Sequence, residues 1–174
     1  MFMKKYLLLA ICFFVTAAGF SQDKYKVIVP STEEKHANAL FQLYAFMGAG
    51  INFAKAQGVS PYEYGKYLGK LFAPTWNPAN DFNAMVQGAM YHSELTRRAS
   101  DPAVQVKENS DGSVTIVSDE KLWRRYFNDN NKMATMDEFL EFIRGVYEPI
   151  ADRMGATAGV ELKNGSMVVT LTKK

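Results

Sequence analysis

The stretch from Gly159 to Lys174 reads GVELKNGSMVVTLTKK, with Asn164-Gly165 standing between two strand-like runs. Asparagine followed by glycine favours a two-residue type I′ turn, because both central positions need positive φ. The stretch therefore predicts a β-hairpin. A lone hairpin cannot bury its apolar side, so the rest of the chain must supply further strands and a cover.

A second hairpin is predicted upstream. Val104 and Val106 alternate with Gln105 and Lys107, the turn ENSDGS contains Asp111-Gly112, and Val114 and Ile116 resume the alternation. Two hairpins in one small domain pair most economically into a four-stranded antiparallel sheet with helices over one face.

The helices announce themselves by their caps. Ser31-Thr32-Glu33-Glu34, Ser60-Pro61-Tyr62-Glu63 and Thr135-Met136-Asp137-Glu138 each place a hydroxyl three residues before a glutamate, the pattern of a capping box. The first predicts a helix to about Gln57, stopped by Gly58. It carries no charge from Ala37 to Ala54, and Phe41, Phe46 and Phe53 widen its apolar stripe almost all round, so it is expected to be buried through the middle of the domain. Asn38, Gln42 and Asn52 argue against a membrane span.

The second helix carries Gly65 and Gly69 one turn apart, a spacing that lets another backbone come close, and ends before Pro74. A third follows the breaker cluster PTWNP with Phe82, Met85, Val86, Ala89 and Ser93 on one face, and is expected to end at Ser100-Asp101-Pro102, with Arg97 and Arg98 in its last turn. The fourth contains Pro149, which removes a backbone donor and presses on the carbonyl of Gly145, so a kink or break is expected there. The fold class is therefore α+β, in the order three helices, hairpin, helix, hairpin.

The beginning of the chain is of another kind. Lys4 and Lys5 precede an apolar run and the small residues Gly19 and Ser21, the layout of a secretory signal peptide over residues 1–21, with a tether over 22–30 and a single domain over 31–174. Cys12 lies inside the apolar run behind the bulky Ile11, a poor match to a lipid-attachment site. The protein is expected to be exported, to a periplasm or outside the cell, without disulfides, since Cys12 is the sole cysteine. Beyond residue 21 acids and bases balance, so neither a nucleic-acid footprint nor an anionic-membrane footprint is supported.

Chemistry has few candidates. His36 and His92 are the two histidines; His92-Ser93-Glu94 lacks the i, i+3 or i+4 spacing of helical ligands and has no cysteine to help it, so no metal and no cofactor are expected. There is no nucleophile elbow and no glycine-rich phosphate loop. His92 and Glu94 are the weak acid–base candidates. The enzyme question stays open, with the weight on a non-catalytic protein.

What stands out is aromatic content, 13% of the chain, together with nine methionines, a composition that suits an apolar pocket between helices and sheet. Tyr44, Met47, Tyr67, Trp76, Tyr91 and Trp123 are the candidate wall residues. In the stretch KLWRRYF, Lys121–Phe127, Trp123 and Phe127 read as anchors, and Arg124 or Arg125 as a fork for a carboxylate or phosphate.

With the segment GAGINFAKAQGVSPYEYGKYLGKLFAPTW before the first hairpin and LWRRYF after it, the layout over about residues 34–172 resembles the vinyl-reductase-type small-ligand-binding domains. It also resembles their TRAPP-like and thiazoline-carboxylate hydrolase-like relatives. The resemblance implies a helix-covered antiparallel sheet, a small hydrophobic ligand and dimerisation through helices; it carries no catalytic residue. The leading expectation is an exported, non-catalytic binding protein for a small apolar or amphipathic molecule. A hydrolase of the thiazoline-carboxylate type and a helix-mediated interaction module, possibly a homodimer, are the alternatives.

Overall fold

The computed structural model describes residues 29–77, 81–127 and 133–174. The expected signal peptide and Cys12 lie outside these residues, as do 78–80 and 128–132. The chain divides into a first unit ending at Thr32, of which residues 29–32 are described, and a second, Glu33–Lys174, which holds the sheet and all the helices, the first helix from its second residue on.

Helix α1 runs Thr32–Ala56, α2 Pro61–Phe72 and α3 Phe82–Leu95, with a 3₁₀ turn at Ala73–Thr75. Strands β1 (Gln105–Glu108) and β2 (Val114–Asp119) lead to a single helical turn, α4, at Lys121–Arg124. Helix α5 (Met136–Arg153) and strands β3 (Ala156–Lys163) and β4 (Ser166–Lys173) complete the domain. The class is α+β, with both hairpins in place.

Local chemistry accounts for the boundaries. Ser60 Oγ accepts from the Glu63 N–H at 3.1 Å, behind Pro61 in the first turn. Thr135 and Glu138 exchange both bonds of a capping box, at 3.2 and 2.8 Å. Asp81 caps α3, accepting from the Ala84 N–H at 3.0 Å. Asn164 and Gly165 have φ of 52° and 74°, as a type I′ turn demands.

Three expectations need correction. Helix α3 ends at Leu95, a turn before Ser100, because the Thr96 hydroxyl turns back to the Ser93 carbonyl at 2.9 Å and Asp101 accepts from the Arg98 N–H at 2.7 Å. Arg97 and Arg98 thus lie in the following turn. Helix α5 runs unbroken through Pro149, held across the missing bond by its packing on α2, where the Pro149 ring lies against Gly69. Helix α1 is not buried all round: one face carries Leu40, Tyr44, Gly48, Ile51 and Ala54 into the core, while Phe46 and Phe53 are 77% and 69% exposed.

The strand order is β1-β2-β4-β3, antiparallel throughout, so the hairpins meet through their second strands. Ile116 faces Val169, which faces Val160. This row, with Leu171 and Met167, forms the inner face, covered by α5 and the aromatic cluster. The outer face is rich in threonine, with Thr115 beside Thr170 and Thr157 beside Thr172. No helix among the described residues is long and apolar enough to cross a membrane.

Helices α2 and α5 touch backbone to backbone. A Cβ at Gly65 would strike the Phe142 carbonyl, one at Gly69 the Val146 carbonyl, and one at Gly145 the Tyr62 carbonyl. Gly65 and Gly69 therefore serve internal packing.

Candidate functional site

The stretch Lys121–Phe127 turns as one helical unit off the end of β2, and this geometry sorts its side chains. Leu122, Trp123, Tyr126 and Phe127 go inward and are buried. Trp123 and Tyr44 meet edge to face at 5.5 Å, Tyr126 lies 4.5 Å from Tyr44, and Phe127 stacks on Phe139 at 4.1 Å. Aromatic pairs in these arrangements add to the burial of their area. The Trp123 indole N–H points at Ser118 Oγ, 3.4 Å away.

The two arginines go outward. Arg124 pairs with Glu120 at 2.9 Å, one helical turn back, and Arg125 pairs with Asp101 at 2.5 Å. Arg98 reaches the same corner and donates to the Tyr126 hydroxyl at 3.3 Å. Burial pushes the Tyr44 hydroxyl far above its usual range, with the Thr96 hydroxyl acting against it. The corner is a packed anchor that ties the turn after α3 to the sheet.

The expected wall residues are not brought to one place. Tyr44 and Trp123 share the buried cluster, with Met47 half-buried against it. Tyr67 is exposed on α2 and Tyr91 on α3. Trp76 lies over Gly88 of α3, with its ring 6.2 Å from His92, and His92 lies 6.4 Å from Tyr91.

His92 is exposed on α3. Glu94 is committed elsewhere: it accepts from the Val104 N–H at 2.8 Å and pairs with Arg97 at 2.5 Å, and these two partners hold its carboxyl below the usual range. A carboxylate so held is a brace for the chain entering β1 and a poor proton carrier. Among the described residues no group of histidines and acids could hold a metal ion.

What remains for function is surface. The outer face of α1 carries Leu43, Phe46, Ala49 and Phe53 at helical spacing, with Leu43 43% exposed and both phenylalanines well beyond that. Exposed apolar residues one at a time are ordinary, whereas an uncharged row along one helix is not. Tyr67, Leu71 and Phe72 of α2 are exposed as well. The signal for this face was in the sequence, in the missing charge between Ala37 and Ala54, but rings on both sides of a helix read equally well as deep burial. Two open grooves, of about 480 and 410 Å³, lie along β3, away from the aromatic cluster.

No family model matches the chain, and no curated protein matches it.

Proposed function

We propose that this protein is a non-catalytic association module that pairs with a second copy of itself through the outer face of α1. The observation that carries the reading is the uncharged row Leu43, Phe46, Ala49, Phe53, open to solvent over three turns of helix. The row is complementary to itself. Small Ala49 sits between two rings, so an antiparallel copy can lay its own ring over that gap, as an isologous pairing requires. Each ring so covered contributes on the order of 2 kcal/mol.

The lack of charge also leaves nothing on this face to demand a differently charged partner. Sedimentation at tens of micromolar tests the reading: the protein sediments as a dimer and Phe46→Glu as a folded monomer. A monomeric parent protein removes the reading.

A second reading keeps the small apolar or amphipathic ligand that the resemblance to vinyl-reductase-type domains implies, in a protein whose first 21 residues read as an export signal. The open aromatic cluster of Trp76, Tyr91 and His92 favours it. Solvent extraction of the purified protein followed by mass spectrometry tests it, and an empty extract from protein made in its own host counts against it. The hydrolase alternative has less support, since Glu94 is held by Arg97 and the Val104 N–H.

A further inference from the structure

Strand β3 is an edge of the sheet, paired on one side with β4 alone. The Lys174 N–H donates to the Gly155 carbonyl at 2.9 Å. In this register the odd-numbered residues Thr157, Gly159 and Glu161 exchange bonds with β4, because hydrogen-bonded pairs alternate along an antiparallel ladder. The backbone groups of Ala156, Ala158, Val160 and Leu162 therefore point away from the sheet. Among the described residues, one side chain satisfies any of them: Arg144 Nε donates to the Val160 carbonyl at 2.6 Å.

Edge strands are normally short, charged or covered. The other edge, β1, has four residues and ends in Lys107-Glu108. Strand β3 has eight, with small Ala156, Ala158 and Gly159 in its first half.

Helix α2 runs beside this edge. Tyr62, Lys66 and Lys70, four residues apart, form the face of α2 that lines the two grooves. Tyr62 shares the first groove with Ala158–Glu161, and Lys66 and Lys70 share the second with Ala156–Ala158. The grooves have Ala158 and Glu148 in common, so they form one channel between a helix and an open strand edge. Glu148 is held in its floor by Lys66 at 2.8 Å and by the Tyr62 hydroxyl.

We propose that this channel binds an extended peptide segment of another protein, which adds to β3 as a fifth strand. Main-chain bonds to Ala156, Ala158 and Val160 supply the affinity, with Arg144 giving up the Val160 carbonyl to a peptide N–H. The occupant is a thin strand and not a second copy of β3. Tyr62, Lys66 and Lys70 of α2 flank the edge, and a second copy of β3 would bring its own flanking helix against them.

Charge sets the orientation. At the Ala156 end Lys66, Lys70 and Lys174 face Glu148 and Asp152; at the other end Arg144 faces Glu148 and Glu161. Lys66 pairs with Glu148, Lys174 with Asp152, and Arg144 holds the Val160 carbonyl, so among the described residues Lys70 at the first end and Glu161 at the second are left without an ion pair. The segment that fits carries an acidic residue toward Lys70, a basic residue toward Glu161, and small residues between, opposite Gly159.

The test uses two labelled seven-residue peptides of alternating valine and serine, one with glutamate first and arginine last, the other with these ends exchanged. Each is titrated by fluorescence polarisation. One order binds at least tenfold more tightly than the other, and N-methylation of its alternate main-chain nitrogens abolishes binding. Ala158→Pro weakens binding at least tenfold, because it removes a donor that faces the channel and leaves the β4 ladder intact. Lys70→Glu reduces or inverts the preference between the two orders.

Amide exchange supplies the check that needs no variant. Ala156, Ala158 and Val160 exchange faster than Thr157 and Gly159 in the free protein and become protected with peptide. Equal binding of the N-methylated peptide, no binding of either order up to about 1 mM, or uniform protection along β3 overturns the proposal. Phe46→Glu leaves peptide binding unchanged, so failure here and failure of self-association are read separately.

Discussion

The seam between α2 and α5 and the outer face of α1 show two opposite uses of a helix surface. At the seam, Gly65, Gly69 and Gly145 let two backbones touch, and a carbonyl stands where each Cβ would be. On α1, Phe46 and Phe53 project from the chain and meet solvent. The first surface is finished within one molecule, since nothing larger than hydrogen fits. The second has apolar area and, among the described residues, no cover. A surface closed by small residues tolerates no addition, whereas one made of large exposed residues tolerates substitution until its partner is counted.

The comparison can be broken by a few changes. The largest expected effect is on the inner face of α1: Tyr44→Ala opens a hole among Trp123, Tyr126 and Phe139 and costs about 4 kcal/mol in a denaturant titration. If it cost no more than a surface change, the division of α1 into two faces would be wrong. Gly145→Val at the seam costs about 3 kcal/mol, because α2 must move away from the whole row. Thr135→Ala, which removes the cap of α5, costs about 1 kcal/mol.

The link between the two regions is sharpened by pH. Lys55 of α1 pairs with Glu138 of α5. Burial works to raise the Glu138 carboxyl, but the Lys55 ammonium and the Thr135 N–H outweigh it and hold the group below its usual range. A carboxyl lower in the folded state than in the unfolded one, about 4.3, contributes its stability above that value and loses it as pH falls through the folded value. Lys55→Met therefore flattens the loss of stability between neutral pH and acid, measured by thermal melts across that range. An unchanged acid profile would show that the pair does not couple the helices.

The smallest effect on stability belongs to the outer face. Phe46→Glu and Phe53→Glu shift the free energy of folding by no more than about 0.5 kcal/mol, while sedimentation reports the loss of the dimer. A large destabilisation without a change of mass would mean that these rings are covered within one molecule, and the contrast would vanish.

Much of the fold was legible because it rests on local chemistry. Asn164-Gly165, Asp111-Gly112, Pro61 behind Ser60, and Thr135 before Glu138 act over two to four residues, and each element they predict is present. The misreadings arose where local signals were balanced or overridden. The end of α3 was set by Thr96 and Asp101 turning back on the chain, and Pro149 was absorbed because the close packing of α5 on α2, with Gly69 against the ring, holds the helix across the missing bond.

The candidate surfaces were less legible. The row on α1 was visible as missing charge, but only packing tells an exposed ring from a buried one. The channel beside β3 joins side chains from Tyr62 to Lys174 that no spacing connects. Arg124 and Arg125 stand out as a pair in the sequence, yet their partners Glu120 and Asp101 depend on the turn that holds them.

By itself the sequence determined the class of fold, the two hairpins, the helix starts and the anchoring rings of Lys121–Phe127, because turns, caps and periodicity are written in near neighbours. The tertiary structure alone decided that β2 and β4 are central, that α1 shows one apolar face to solvent, and that β3 is an open edge beside α2. Those outcomes depend on which apolar faces find each other across the chain, and near neighbours carry no record of that choice.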